Sequence, residues 1–168
     1  MNILEEIIYN KQKEVEAQSL VVPIERLKES QRLFAMRDFK SSINGKNIQI
    51  IAEIKRRSPS NKNIFIDADP VITAISYELN GASSISVLTD SMYFGGHLDF
   101  IHSVKAAVSI PVLRKDFIIS EYQVWESFKA GADAILLIAD AIEYNVLVRL
   151  YELSLDLGMS VLVETHSV

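Results

Sequence analysis

Charged residues recur where short apolar runs give way to the segments that follow them: Glu53 and Lys55 after Ile50-Ile51-Ala52, Lys115 and Asp116 after Val112-Leu113, Asp140 after Leu136-Leu137-Ile138, and Glu164 after Val161-Leu162-Val163. Lysines beside glutamates suit proton transfer, because one type supplies an acid and a cation and the other a base. In an extended strand Glu53 and Lys55, two positions apart, point to the same side. Left unpaired in an interior they would be costly, so they are expected to pair with one another or with a substrate. A strand surfacing into a polar loop also carries charge, so a single such position is ordinary. The signal is that Lys or Glu recurs at three strand ends.

The elements that must position these residues follow from the hydrophobic pattern. Residues 2–17 place Ile3, Leu4, Ile7, Ile8 and Val15 near helical spacing, with Asn2 and Glu5 as a capping box, so an amphipathic helix is expected. Two short helices are expected over 23–31 and 36–43, before Asn44-Gly45-Lys46-Asn47 breaks the pattern. From Ile48 to Ile54 the chain is short, β-branched and mostly apolar, as befits a parallel strand covered on both faces. Similar runs recur at 84–88, 111–115, 134–139 and 160–165. Asp69-Pro70 and Ser120-Glu121 open helices between them. Gly81, Gly131 and Gly158 stand where helices end in a left-handed residue. Trp125, on the helix after the third strand, reads as packing.

Strands alternating with helices make successive right-handed βαβ units, which suit an open doubly wound sheet or a β/α barrel. No Gly-x-Gly-x-x-Gly follows the first strand, so the dinucleotide fingerprint of the open sheet is missing and the barrel is preferred. The expected fold class is α/β, a (β/α)8 TIM-barrel type in one structural domain. It has a helical extension over 1–47 and the first five barrel strands over 48–168. A complete barrel has eight strands and roughly 250 residues, and its catalytic rim is formed by the C-terminal strand ends. The charges named above stand at that rim. A five-stranded parallel sheet leaves two edges unpaired. Self-association, or pairing with a missing C-terminal segment, is therefore expected of this chain alone, together with negligible activity.

Composition narrows the function classes. With 49% hydrophobic and 23% charged residues over 168 positions, the chain suits an ordinary folded domain. It has no run of about 18 apolar residues to cross a bilayer, and Met1-Asn2-Ile3-Leu4-Glu5-Glu6 is too acidic for a signal or transit peptide, so no membrane partner and a cytoplasmic home are expected. The absence of cysteine removes zinc-thiolate sites and thiol nucleophiles. A net charge of −5 without a basic stripe argues against nucleic acid, while a few local lysines still allow a small anionic substrate. His97, His102 and His166 show no metal-ligand spacing and read as surface or packing residues.

Ile51-Ala52-Glu53-Ile54-Lys55-Arg56-Arg57-Ser58-Pro59-Ser60 resembles the first-strand signature of the indole-3-glycerol phosphate synthases, in which Ala-Glu-(Ile/Val)-Lys is followed by Ser-Pro-Ser. Further stretches agree in order. These are Ser86-Val87-Leu88-Thr89-Asp90 leading to Tyr93-Phe94-Gly95-Gly96, then Leu113-Arg114-Lys115-Asp116-Phe117-Ile118, Gly131-Ala132-Asp133-Ala134-Ile135-Leu136-Leu137-Ile138, and Val161-Leu162-Val163-Glu164-Thr165-His166. The resemblance covers essentially the whole chain.

It implies a carboxy-lyase of tryptophan biosynthesis that converts 1-(2-carboxyphenylamino)-1-deoxyribulose 5-phosphate to indole-3-glycerol phosphate, carbon dioxide and water, with no metal and no organic cofactor. Carried over by position, Lys115 is implied as the general acid toward the ketone, Lys55 as the contact to the substrate carboxylate, and Glu164 as the acid/base of dehydration. Glu53 is implied to hold the lysines in place. Phe94, Phe117 and Leu136 match the apolar walls around the anthranilate ring, although such residues after strands are often plain core. Ser58 matches a loop donor to an anion, although Ser-Pro-Ser is also ordinary turn chemistry. Asn61-Lys62-Asn63 replaces the family's usual Lys-Gly, Gly96-His97 a Gly-Ser, and Thr165 an aliphatic residue. The family's phosphate-binding strands seven and eight have no counterpart here. Two other readings remain at this stage: a non-catalytic half-barrel needing a partner chain or second copy, and a related barrel such as phosphoribosylanthranilate isomerase. The latter works with a cysteine and an aspartate, and this chain has no cysteine.

Overall fold

The computed structural model describes residues 2–59, 64 and 67–165. Its first part is helical: α1 (Ile3–Val21), α2 (Ile24–Glu29) and α3 (Phe39–Ser42). The capping box forms as expected, Asn2 Oδ1 accepting from Glu5 N and Glu5 Oε2 from Asn2 N, both at 2.9 Å. α1 runs beyond the expected end at 17. The next two helices are shorter than the expected 23–31 and 36–43 because their ends are set locally. Ser30 is extended after α2, and Asp38 stands outside α3 as its N-cap, accepting from Ser41 N.

The sheet region follows as β1 (Ile51–Ile54), α4 (Pro70–Leu79), β2 (Ser84–Leu88), α5 (Ser91–Phe94), α6 (Asp99–Ala107), β3 (Val112–Lys115), α7 (Glu121–Ala130), β4 (Ala134–Ile138), α8 (Tyr144–Asp156) and β5 (Ser160–Glu164). The strands are parallel and lie in the order β1-β2-β3-β4-β5. This order is how a barrel wall is wound, whereas a doubly wound sheet reverses direction at a switch point. β1 starts later than Ile48 because Ile51, opposite Ser84, is the first residue in register with β2. Ile48 itself is 94% exposed.

The helix openings differ in chemistry. Asp69 Oδ1 accepts from Val71 N and Ile72 N ahead of Pro70, as expected. Ser120 does stand at the N-cap of α7, but its side chain makes no capping bond and its buried Oγ has no partner. Gln123 Oε1 instead ties down the approach to the helix, accepting from Ile119 N at 2.9 Å. Gly81, Gly131 and Gly158 all have positive φ. At Gly131, with φ at 101°, a Cβ would also run into the Phe34 ring. Trp125 packs edge-on against Phe128.

Alternation along the strands separates two environments. Ile54, Ile85, Val87, Val112, Ile135 and Leu137 pack with the helices. On the other face Leu113 and Ala134 meet Phe39 of α3, with Ile43 and Leu162 beside them, so α3 closes the N-terminal end. The N-terminal side is further tied by Asp133, fully buried, which accepts from Lys105 Nζ, Arg37 N and Val112 N. The closed end leaves the C-terminal end of the same face as the place where a ligand can enter. Among the described residues, no helix is long and apolar enough to cross a membrane.

Candidate active site

At the C-terminal end the face that carries Leu113 and Ala134 continues with Glu53, Lys55, Leu88, Lys115, Leu136, Ile138 and Glu164. The register sets Leu88 beside Lys115, Leu136 beside Leu162 and Ile138 beside Glu164. These side chains line a cavity of ≈ 710 Å³. All eight residues singled out from the sequence are on its wall: Glu53, Lys55, Lys115 and Glu164, together with Ser58, Phe94, Phe117 and Leu136. Most of the lining is apolar, and Phe94 and Phe117 face each other with ring centroids 6.0 Å apart.

Glu53 is the junction of the charged side. Its Oε1 accepts from Lys55 Nζ at 2.7 Å and its Oε2 from Lys115 Nζ at 2.8 Å, so one carboxylate serves two ammonium groups. All three side chains remain about one-third exposed, at 34%, 29% and 36% for Lys55, Glu53 and Lys115. Partial burial pushes the Glu53 carboxyl up. The hydrogen bonds from Lys115 and Lys55 outweigh it and hold its pKa below the usual carboxylate range. Tyr77 Oη donates to the Glu53 carbonyl and fixes the strand end. The arrangement presents two cations next to an apolar slot, with further carboxylates, among them Glu164 and Asp140, elsewhere on the wall. An aromatic carboxylate substrate has a ring for the slot and a charge for the lysines.

The rim charges divide by parity. Lys115 turns to the cavity, whereas Arg114 and Asp116, its chain neighbours, are buried. Asp116 was grouped with the rim charges in the sequence. It touches the cavity wall, but it is bound up with Arg114 Nη2 at 2.9 Å, Thr89 Oγ1 at 2.6 Å and Lys11 Nζ at 3.1 Å. Burial would raise its pKa, and Arg114 and Lys11 outweigh that and hold it at about 2.

Sequence reasoning missed the part played by α1. Asn2, Ile3, Leu4 and Ile7 of this helix close one side of the cavity. The available signal was the apolar stripe of Ile3, Leu4 and Ile7, one turn before Lys11. Arg57 fixes the start of the loop after β1, its Nη2 donating to the Ser91 and Met92 carbonyls at 2.6 Å. The Asn61-Lys62-Asn63 departure and His166 lie outside the described residues. His97 sits beside Asp99, and His102 packs edge-on against Phe34. Among the described residues no group of His, Cys, Asp and Glu is disposed to hold a metal ion.

A family model described as indole-3-glycerol phosphate synthase matches residues 4–168. Several relatives named indole-3-glycerol phosphate synthase are similar to the chain. The protein of Kineococcus radiotolerans is 39% identical over 173 residues, covering 99% of this chain and 63% of the relative. That of Geobacillus kaustophilus is 45% identical over 165 residues, covering 98% and 62%. That of Bacteroides thetaiotaomicron is 44% identical over 167 residues, covering 99% and 64%. The chain thus spans a little under two thirds of the length of these relatives.

Proposed function

Because the chain belongs to the indole-3-glycerol phosphate synthase family, we propose that it carries the ring-closing and dehydrating residues of a carboxy-lyase acting on 1-(2-carboxyphenylamino)-1-deoxyribulose 5-phosphate. The observation that carries this reading is the single Glu53 carboxylate shared by Lys55 and Lys115 on the wall of an otherwise apolar slot.

The anthranilate ring lies against an apolar wall of Phe94, Phe117 and Leu136, and Lys55 meets its carboxylate. The ring carbon bearing the carboxylate attacks the ketone. As that bond forms, the carbonyl electron pair moves to oxygen and Lys115 delivers the proton. Glu53 holds the Lys115 side chain in place through its 2.8 Å contact. The bond to the carboxylate then breaks, carbon dioxide leaves and the ring regains its aromaticity. Glu164 serves the second half, where a proton leaves the substrate carbon and the new hydroxyl departs as water. Ser58 donates to an anionic group of the substrate from the loop after β1. α1 acts as a cover over the rim and α3 as a plug at the other end. A phosphoribosylanthranilate isomerase reading has no such support, since the relatives named above are all synthases.

Single-turnover experiments on the full-length protein, with all eight barrel strands, separate the two halves. Lys115→Ala is expected to release neither carbon dioxide nor indole-3-glycerol phosphate at an appreciable rate. Glu164→Gln is expected to release carbon dioxide while the indole product lags behind it. Carbon dioxide release by Lys115→Ala at the unsubstituted rate would remove Lys115 from ring closure.

A further inference from the structure

Lys11 is a lysine on the cavity-facing stripe of α1, with a side chain only 2% exposed. Its Nζ reaches three carboxylates: Glu14 Oε2 at 2.9 Å, Asp90 Oδ2 at 3.0 Å and Asp116 Oδ1 at 3.1 Å. Asp90 and Asp116 belong to the segments that follow β2 and β3, and each also organises a cavity phenylalanine. Asp90 Oδ1 accepts from Tyr93 N at 2.7 Å and Phe94 N at 3.3 Å, capping α5. Asp116 Oδ1 accepts from Phe117 N at 2.8 Å. The two carboxylates are nine-tenths buried or more and carry like charge, which the Lys11 ammonium bonded to both offsets, alongside Arg114 at Asp116. A second tie in the same direction runs from Asn10 and Glu6 of α1 to the Tyr93 hydroxyl.

We propose that Lys11 is a positioning residue for the aromatic half of the site: by bridging Asp90 and Asp116 it sets the spacing of Phe94 and Phe117 and seats α1 over the cavity. The identity of the ring held there rests on the functional reading above, whereas the bridge itself rests on geometry alone. A grip on a ring acts equally on bound substrate and transition state, so its loss appears in KM and leaves turnover nearly unchanged. That separates Lys11 from Lys115, which acts on charge that develops during reaction.

The test uses the full-length protein, with all eight barrel strands, in three substituted forms, read by steady-state kinetics and by hydrogen–deuterium exchange of the segments 90–96 and 116–118. Lys11→Met is expected to raise KM about 10-fold, which is about 1.4 kcal/mol of binding. Turnover stays within about 3-fold, and both segments exchange faster while β2 and β3 remain protected. Lys11→Arg keeps the charge and recovers most of KM. Asp90→Asn keeps the cap on Tyr93 and Phe94 but removes the charge facing Lys11, and a smaller KM rise follows. If Lys11→Met fails to fold, Asp90→Asn decides. Unchanged exchange in both segments, or looser segments with an unchanged KM, overturns the proposal. Should the unsubstituted full-length protein, with all eight barrel strands, lack synthase turnover, the functional reading falls, and faster exchange in Lys11→Met still supports the bridge.

Discussion

Two lysine–carboxylate clusters sit at the same end of the sheet and look alike by distance, yet they are built for opposite ends. Around Glu53 the contacts measure 2.7 and 2.8 Å. Around Asp116 and Lys11 they measure 2.9 to 3.1 Å. The difference lies in surroundings. In the Asp116 cluster Lys11, Asp90, Asp116 and Arg114 are almost wholly buried, with the half-buried Glu14 at its edge, and each cation meets more than one carboxylate: Lys11 has Glu14, Asp90 and Asp116, and Arg114 has Asp116 and Glu126. The Glu53 cluster keeps a third of each side chain open and shares one carboxylate between two lysines. Contact length therefore does not distinguish a scaffold from a site, but saturation and access do. A saturated buried network fixes geometry, and an open one with cations to spare can turn toward a substrate.

The comparison breaks first if Asp116 proves dispensable for folding. Removing one member of a buried charge network strands the others, so Asp116→Ala is expected to cost about 3–5 kcal/mol in urea denaturation. A loss below about 1 kcal/mol would mean that the cluster is not a scaffold. Acid sharpens the same contrast. The Asp116 carboxyl is held at about 2 in the folded chain, below its ordinary 3.8. Its stabilisation is therefore fully present above about pH 4 and is lost as the pH falls through about 2. The expected loss is about 2 kcal/mol. Denaturation midpoints followed from pH 5 to 2 should fall less steeply in Asp116→Asn than in the unsubstituted chain.

The open cluster should behave otherwise. Glu53→Gln is expected to alter stability at neutral pH by no more than about 1 kcal/mol, because a third of the charge is already in water. Equal losses for Glu53→Gln and Asp116→Ala would erase the distinction. The smallest effect belongs to Ser120. As an N-cap it should matter by about 1 kcal/mol, but it makes no capping bond, so Ser120→Ala is expected to change stability by less than about 0.5 kcal/mol.

Much of this was legible in the chain. Glu53 and Lys55 share a face because of strand alternation, the glycines after three helices mark left-handed ends, and Asn2 with Glu5 caps α1. The family resemblance brought Phe94, Phe117, Leu136 and Ser58 to the same wall. What the sequence concealed depends on distant partners. Lys11 lies in the polar stretch Tyr9-Asn10-Lys11-Gln12-Lys13, and only the docking of α1 against the segments after β2 and β3 explains why it is buried. Asp116 resembles Lys115 as a rim charge until its burial among Arg114, Thr89 and Lys11 is seen. Ile48 looks like strand, but no β2 residue stands opposite it.

The central claim, that the open Lys115–Glu53 pair performs chemistry and does not serve merely as structure, is tested most directly by Lys115→Ala in the full-length protein with all eight barrel strands, with turnover and thermal unfolding measured on one preparation. The account predicts a turnover lower by about 100- to 10,000-fold, as expected for loss of a general acid, with KM within a few-fold and an unchanged unfolding temperature. An unchanged turnover number with only a raised KM would contradict it and leave Lys115 as a binding residue.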